Sequence, residues 1–85
     1  MITGQQCRMA RAALDWSVQE LATRAKVGEA TVRRFERERG APIHATADAI
    51  RGALEAAGVL FIHENGEGPG VRLRKERTPK GGAVG

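Results

Sequence analysis

The residues with the most chemical capacity in this chain lie in one stretch, Glu29-Ala30-Thr31-Val32-Arg33-Arg34-Phe35-Glu36-Arg37. On a helix, Val32 and Phe35 share one face, and Arg33, Arg34 and Arg37 project from the other. A guanidinium carries fixed planar donors. These fit the O6 and N7 acceptors of guanine with two parallel hydrogen bonds, or the oxygens of a phosphate. The chemistry such a face can do is recognition of a polyanion, not bond making.

Other reactive residue types are sparse. His44, His63 and Cys7 are far apart in sequence and have no metal-ligand spacing, so no metal is expected. Cys7 lies on an apolar helix face and reads as a small buried residue. The run Gly66-x-Gly68-x-Gly70 resembles a phosphate loop, but it sits between two strands with no helix to receive a phosphate, so it reads as loop glycine. No nucleophile and base can be paired. The expectation is a chain that is not an enzyme and that uses no cofactor or small-molecule ligand.

The stretch 29–37 needs elements to hold it. Thr3-x-x-Gln6 is a capping-box pattern opening a first helix over about Gly4 to Leu14, with Cys7, Ala10, Ala13 and Leu14 on its apolar face. Asp15-Trp16 ends it, and Trp16 reads as a core plug rather than a stacking platform. Ser17-x-x-Glu20 is a second capping-box pattern, starting a short helix over about Val18 to Ala25. Lys26-Val27-Gly28 is a tight connection in which Gly28 permits the turn and can cap the next helix. That helix runs from Glu29 until Gly40 and Pro42 stop it. A fourth helix fits about Ala45 to Ala57, burying Ile50, Ala53, Leu54 and Ala57, with Gly58 beyond its end. Val59-Leu60-Phe61-Ile62 and Val71-Arg72-Leu73-Arg74 read as the strands of a hairpin around the Asn65-Gly66 turn signal. Residues 75–85, rich in Gly, Lys and Arg, read as a disordered basic tail.

Length and composition suit one soluble domain. Of 85 residues, 41% are hydrophobic and 28% charged, a globular balance. No apolar run is long enough to cross a bilayer, the N-terminus has no signal-peptide pattern, and a single cysteine suits a reducing compartment, so a cytoplasmic location is expected. The net charge of +4 is unevenly spread: residues 1–40 are basic, 41–70 acidic and 71–85 basic again. Basic ends suit a polyanion on one surface.

Two short helices joined by a Gly-containing turn, the second with a basic outer face, describe a helix-turn-helix over residues 17–42. The runs Trp16-Ser17-Val18-Gln19-Glu20-Leu21-Ala22, Val27-Gly28-Glu29-Ala30-Thr31-Val32 and Phe35-Glu36-Arg37, followed by Pro42, resemble the XRE/Cro/cI-type regulator family over roughly residues 5–58. A looser resemblance to very short regulators of that kind continues through Ala56-Ala57-Gly58-Val59, Phe61-Ile62, Asn65-Gly66 and Gly70-Val71-Arg72-Leu73. The resemblance implies a mainly α, lambda-repressor-like bundle of four to five helices in residues 1–58, with a C-terminal β-hairpin at 59–74. It also implies a bacterial-type transcriptional regulator that binds double-stranded DNA.

On that resemblance, Glu29, Ala30, Arg33 and Arg34 occupy base-reading positions. Arg34 is the best candidate for guanine, Arg33 suits a base or a phosphate, and Glu29 either accepts from cytosine N4 or favours the helix N-terminus. Ser17, Gln19, Gly28, Thr31, Arg37 and Arg39 are candidates for phosphate contact, and Glu36 matches a structural position. Relatives commonly carry Gln where this chain has Val18, and Ser or Thr where it has Gly28. The hairpin of so small a chain has little to pack on, so Val59, Phe61, Val71 and Leu73 are expected to meet a second copy. The result would be a homodimer reading a palindromic operator as a repressor. A rival reading keeps the helix-turn-helix as a scaffold for protein–protein binding, as in an antiactivator or antitoxin. Val18 and the five acids within residues 1–40 favour it.

Overall fold

Thr3 accepts the N–H of Gln6 on its hydroxyl, and Gln6 Oε1 accepts the N–H of Thr3, both at 3.0 Å. This reciprocal cap starts α1 (Gly4–Leu14). The computed structural model describes residues 2–37, 44–62 and 68–74. Its remaining elements are α2 (Val18–Ala25), α3 (Glu29–Arg37), α4 (His44–Ala56), β1 (Val59–Ile62) and β2 (Gly70–Leu73). The described residues form a mainly helical fold with one small antiparallel sheet.

The turns differ from expectation in their chemistry. Asp15 closes α1 in the left-handed region at φ 61°. Lys26 does the same for α2, also at φ 61°, with its N–H donating to the end of that helix. Gly28 was expected to permit the α2–α3 turn. It has no positive φ, so the glycine is not required there by backbone geometry. Its carbonyl instead accepts the N–H of Val32 at 3.1 Å, the first bond of α3. The second capping box forms only in half: Ser17 Oγ accepts the N–H of Glu20 at 3.0 Å, while the Glu20 carboxylate turns to Arg24 Nε at 2.7 Å. α4 ends at Ala56, and the turn after it passes through Gly58, whose φ of 104° needs the freedom of a glycine.

The core is built from Cys7 and Ala10 of α1, Leu21 and Ala22 of α2, Val32 and Phe35 of α3, Ala47, Ile50 and Leu54 of α4, and Val59 of β1, with Ile2 beside them. Ala13 is exposed, contrary to the expected stripe. It lies about 100° round the helix from Leu14, and the buried stripe follows Leu14 instead. Ala53 and Ala57 of the expected α4 face are half-buried.

The hairpin pairs Val59 with Leu73 and Phe61 with Val71 on one face. It packs against α1 and α4, so it does have a surface of its own chain to cover. Val59 is 0% exposed and part of the core, and Phe61 and Val71 pack against that core. Of the four apolar positions assigned to a second copy, only Leu73, at 45%, stands largely in solvent. The reason is the register: the strand face that would have met a partner is turned onto the helices. The stop signals Gly40 and Pro42, the Asn65-Gly66 turn and the tail 75–85 lie outside the described residues.

Candidate nucleic-acid interface

α3 is divided by burial along its length. Val32, Phe35 and Glu36 are buried, Ala30, Arg33, Arg34 and Arg37 are exposed, and Glu29 and Thr31 are half-buried. The exposed set forms one face that begins at the first turn of the helix. Ser17 and Gln19, at the start of α2, and Gly28, just before α3, are also exposed. Of the assigned base-reading residues, Ala30, Arg33 and Arg34 are exposed and Glu29 is half-buried; of the phosphate candidates, Ser17, Gln19, Gly28 and Arg37 are exposed and Thr31 is half-buried. Arg39 lies outside the described residues.

The charges on this face are not equivalent. Arg33 Nη2 donates to Glu29 Oε1 at 3.3 Å, one helical turn back. Arg34 and Arg37 have no hydrogen bond or ion pair among the described residues. Ser17 Oγ is occupied as an acceptor by the α2 cap, which leaves its own O–H as a donor. Val18 is half-buried and packs against the core, so its side chain offers no polar group to a ligand. Gln19 points outward at the next position. Arg24 of α2 lies over the ring of Trp16 at 4.6 Å, and Trp16 itself packs against the core as expected of a plug.

The mounting of α3 was not visible in the chain as a pattern. Glu36 carries a buried carboxylate whose Oε2 accepts from Arg11 Nε at 2.7 Å and whose Oε1 accepts from Arg11 Nη2 at 2.9 Å. Cys7 Sγ donates to the same Oε2 at 3.2 Å. Arg11 also donates to the carbonyl of Trp16 at 3.1 Å, and Arg8 donates to the carbonyl of Glu36. Gly4 completes the joint: a Cβ there would stand 2.4 Å from the Phe35 carbonyl oxygen and 2.8 Å from that of Glu36. Only a glycine lets α1 approach the end of α3 so closely. Burial, then the bond to Glu36 and that carboxylate's charge, pushes the Cys7 thiol far above its ordinary range. The same carboxylate bond raises Arg11 further. A spacing of i and i+4 for Cys7 and Arg11 was the one local sign that both face a common partner.

A second polar joint links α1 to the hairpin. Gln6 is buried, and its Nε2 donates to the carbonyls of Ile62 at 3.2 Å and Gly70 at 3.0 Å. One side chain thus caps α1 and clips the loop end of both strands.

Among the described residues no three His, Cys, Asp or Glu side chains are grouped to hold a metal, and no helix is long and apolar enough to cross a membrane. Compared with known proteins, the chain matches no family model, and no curated protein matches it.

Proposed function

We propose that the chain is a sequence-specific, double-stranded DNA-binding transcriptional regulator of bacterial type, in which α2 and α3 form a helix-turn-helix within a lambda-repressor-like bundle. The observation that carries this reading is the division of α3. Its buried side is held by Val32, Phe35 and the Glu36–Arg11 pair, while Ala30, Arg33, Arg34 and Arg37 are left in solvent on one face. The major groove of B-DNA admits one helix, and a reading helix needs an outer face of donors on a rigid mount. The small side chain of Ala30 gives the start of α3 room to approach a groove floor.

In this reading Arg34 donates to guanine O6 and N7. Arg37, Ser17, Gln19, Thr31, the N–H of Gly28 and Arg39 serve the phosphates. Two copies bound as a homodimer would place their reading helices roughly 34 Å apart, one turn of DNA, and repress by occupying a palindromic operator. Since Val59, Phe61 and Val71 pack on or against the core, the surface left for a second copy on that face of the hairpin is smaller than the sequence suggested and is reduced to Leu73, while Ile62 is exposed on the opposite face.

A second reading, protein–protein binding through the same scaffold, is favoured by the inward packing of Val18 and by the Glu29 carboxylate on the basic face. In vitro selection of duplexes by the purified chain at stated salt separates the two. A preferred, two-fold symmetric duplex is expected. Recovery of no preferred duplex, with a protein retained from native extract instead, would favour the second reading.

A further inference from the structure

The exposed face of α3 contains one preassembled unit, the Glu29–Arg33 pair. We propose that these two side chains together read a single G·C base pair. This rests on the DNA-binding reading and names what that site recognises. In the major groove a G·C pair presents guanine N7 and O6 as acceptors, followed by the cytosine N4–H donor. The O6 and N4 atoms are themselves hydrogen-bonded partners, so they stand about 2.9 Å apart. Arg33 Nη2 and Glu29 Oε1 stand 3.3 Å apart, a donor and an acceptor at nearly the same spacing. The guanidinium donates to N7 and O6 while the neighbouring carboxylate accepts from N4. A T·A or A·T pair presents a methyl or a reversed donor order to the same unit.

The pairing also argues against a phosphate role for Arg33. A phosphate docked on Arg33 would bring its charge against the Glu29 carboxylate, and like charges so placed repel. Arg34 and Arg37, which carry no acidic partner among the described residues, are the groups free to meet further guanines or the backbone. Glu29 lies in the first turn of α3.

The test uses the full chain and the duplex it selects. 7-Deazaguanine removes N7, and N4-methylcytosine removes the groove-facing N4 donor, at one G·C pair at a time. At one such pair each analogue is expected to weaken the wild type by between about five- and 150-fold. Arg33→Ala is expected to bind the natural and 7-deaza duplexes alike. Glu29→Gln is expected to become indifferent to N4-methylation there. The slope of log affinity against log salt is expected to stay unchanged in Arg33→Ala, because no phosphate contact is lost. Arg33 is exposed and Glu29 half-buried, and circular dichroism of each variant verifies the fold. If Arg33→Ala weakens all duplexes equally and flattens the salt slope by about one, Arg33 is a phosphate contact and the proposal fails. If Glu29→Gln retains the wild-type response to N4-methylation, Arg33 acts alone and the paired reading fails. A chain that selects no duplex overturns the DNA-binding reading and this proposal together. A chain that selects one but fails either variant test overturns only the pair.

Discussion

Replacing Arg11 by Met should destabilise the protein by about 3 kcal/mol, and the structure says why. The Glu36 side chain is 7% exposed and accepts three hydrogen bonds, two of them from Arg11. Without Arg11 the carboxylate keeps only the Cys7 thiol, a weak donor. Breaking a buried ion pair from one side costs about 3–5 kcal/mol, because a charge is left buried and unpaired. Arg11 is 21% exposed, so water can reach part of the vacated space and the lower end of that range applies. Against a total stability of roughly 5–15 kcal/mol this is a large fraction. For a domain of this size it corresponds to a fall in Tm of about 12–24 °C. The decisive comparison is the double variant Arg11→Met with Glu36→Met, which removes both charges and fills similar volume. It is expected to recover to within about 1 kcal/mol of the wild type, since buried pairs are often replaceable by apolar groups. Thermal and urea unfolding of the two single variants and the double variant supply the cycle. A loss under about 1 kcal/mol in Arg11→Met, or a double variant no more stable than the single, would refute the claim that the Glu36 charge depends on Arg11.

Four further outcomes follow from individual residues. Gly4→Ala should destabilise by about 1–3 kcal/mol, because its Cβ meets the Phe35 and Glu36 backbone. Gly52→Ala, whose Cβ meets nothing within 4 Å in the exposed middle of α4, should stabilise by about 0.5–1 kcal/mol. Both are read by unfolding. The folded Cys7 thiol keeps its proton above pH 9.0, its ordinary value, where the unfolded chain has lost it. The unfolded state then binds fewer protons, so stability should fall as pH rises above 9, by up to about 1.4 kcal/mol per unit, with no contribution from this group below that pH. Cys7→Ala should lack that slope in denaturant titrations across pH. Gln6→Glu keeps the oxygen that caps α1 but replaces the donor facing the Ile62 and Gly70 carbonyls. Faster amide exchange confined to the strands is expected, with α2 and α3 protected as before. Equal protection of the strands would show that the clip is dispensable.

Much of this fold was readable because it rests on local rules. Thr3 and Gln6 announce α1, Ser17 announces α2, and Gly58 marks the end of α4, each through bonds spanning three or four residues. The outward arginines of α3 followed from the spacing of Val32 and Phe35 alone. What escaped reading is long-range or non-glycine. Arg11 and Glu36 are 25 residues apart, and neither has a pattern naming the other. Asp15 and Lys26 take left-handed turns that glycine would have signalled, while Gly28 opens α3 with its carbonyl and takes no left-handed turn. Val59 looked like a surface residue seeking a partner because the packing of the hairpin onto α1 and α4 is long-range, as is the bond from Gln6 to the Ile62 carbonyl 56 residues away. Within the candidate interface, the burial of α3 was legible, whereas the inequality of its arginines was not. It depends on which rotamer Glu29 uses to hold Arg33.

The measurement that tests the central claim most directly is a salt series of binding to the selected duplex and to a scrambled one, for the wild type, Arg34→Ala and Arg37→Ala. The account predicts that the wild type prefers the selected duplex. Arg34→Ala should lose about 1–3 kcal/mol of that preference, and Arg37→Ala should weaken both duplexes alike while lowering the salt slope by about one. A wild type that binds the two duplexes equally, or an Arg34→Ala variant with its preference intact, would contradict the assignment of this helix face to reading DNA.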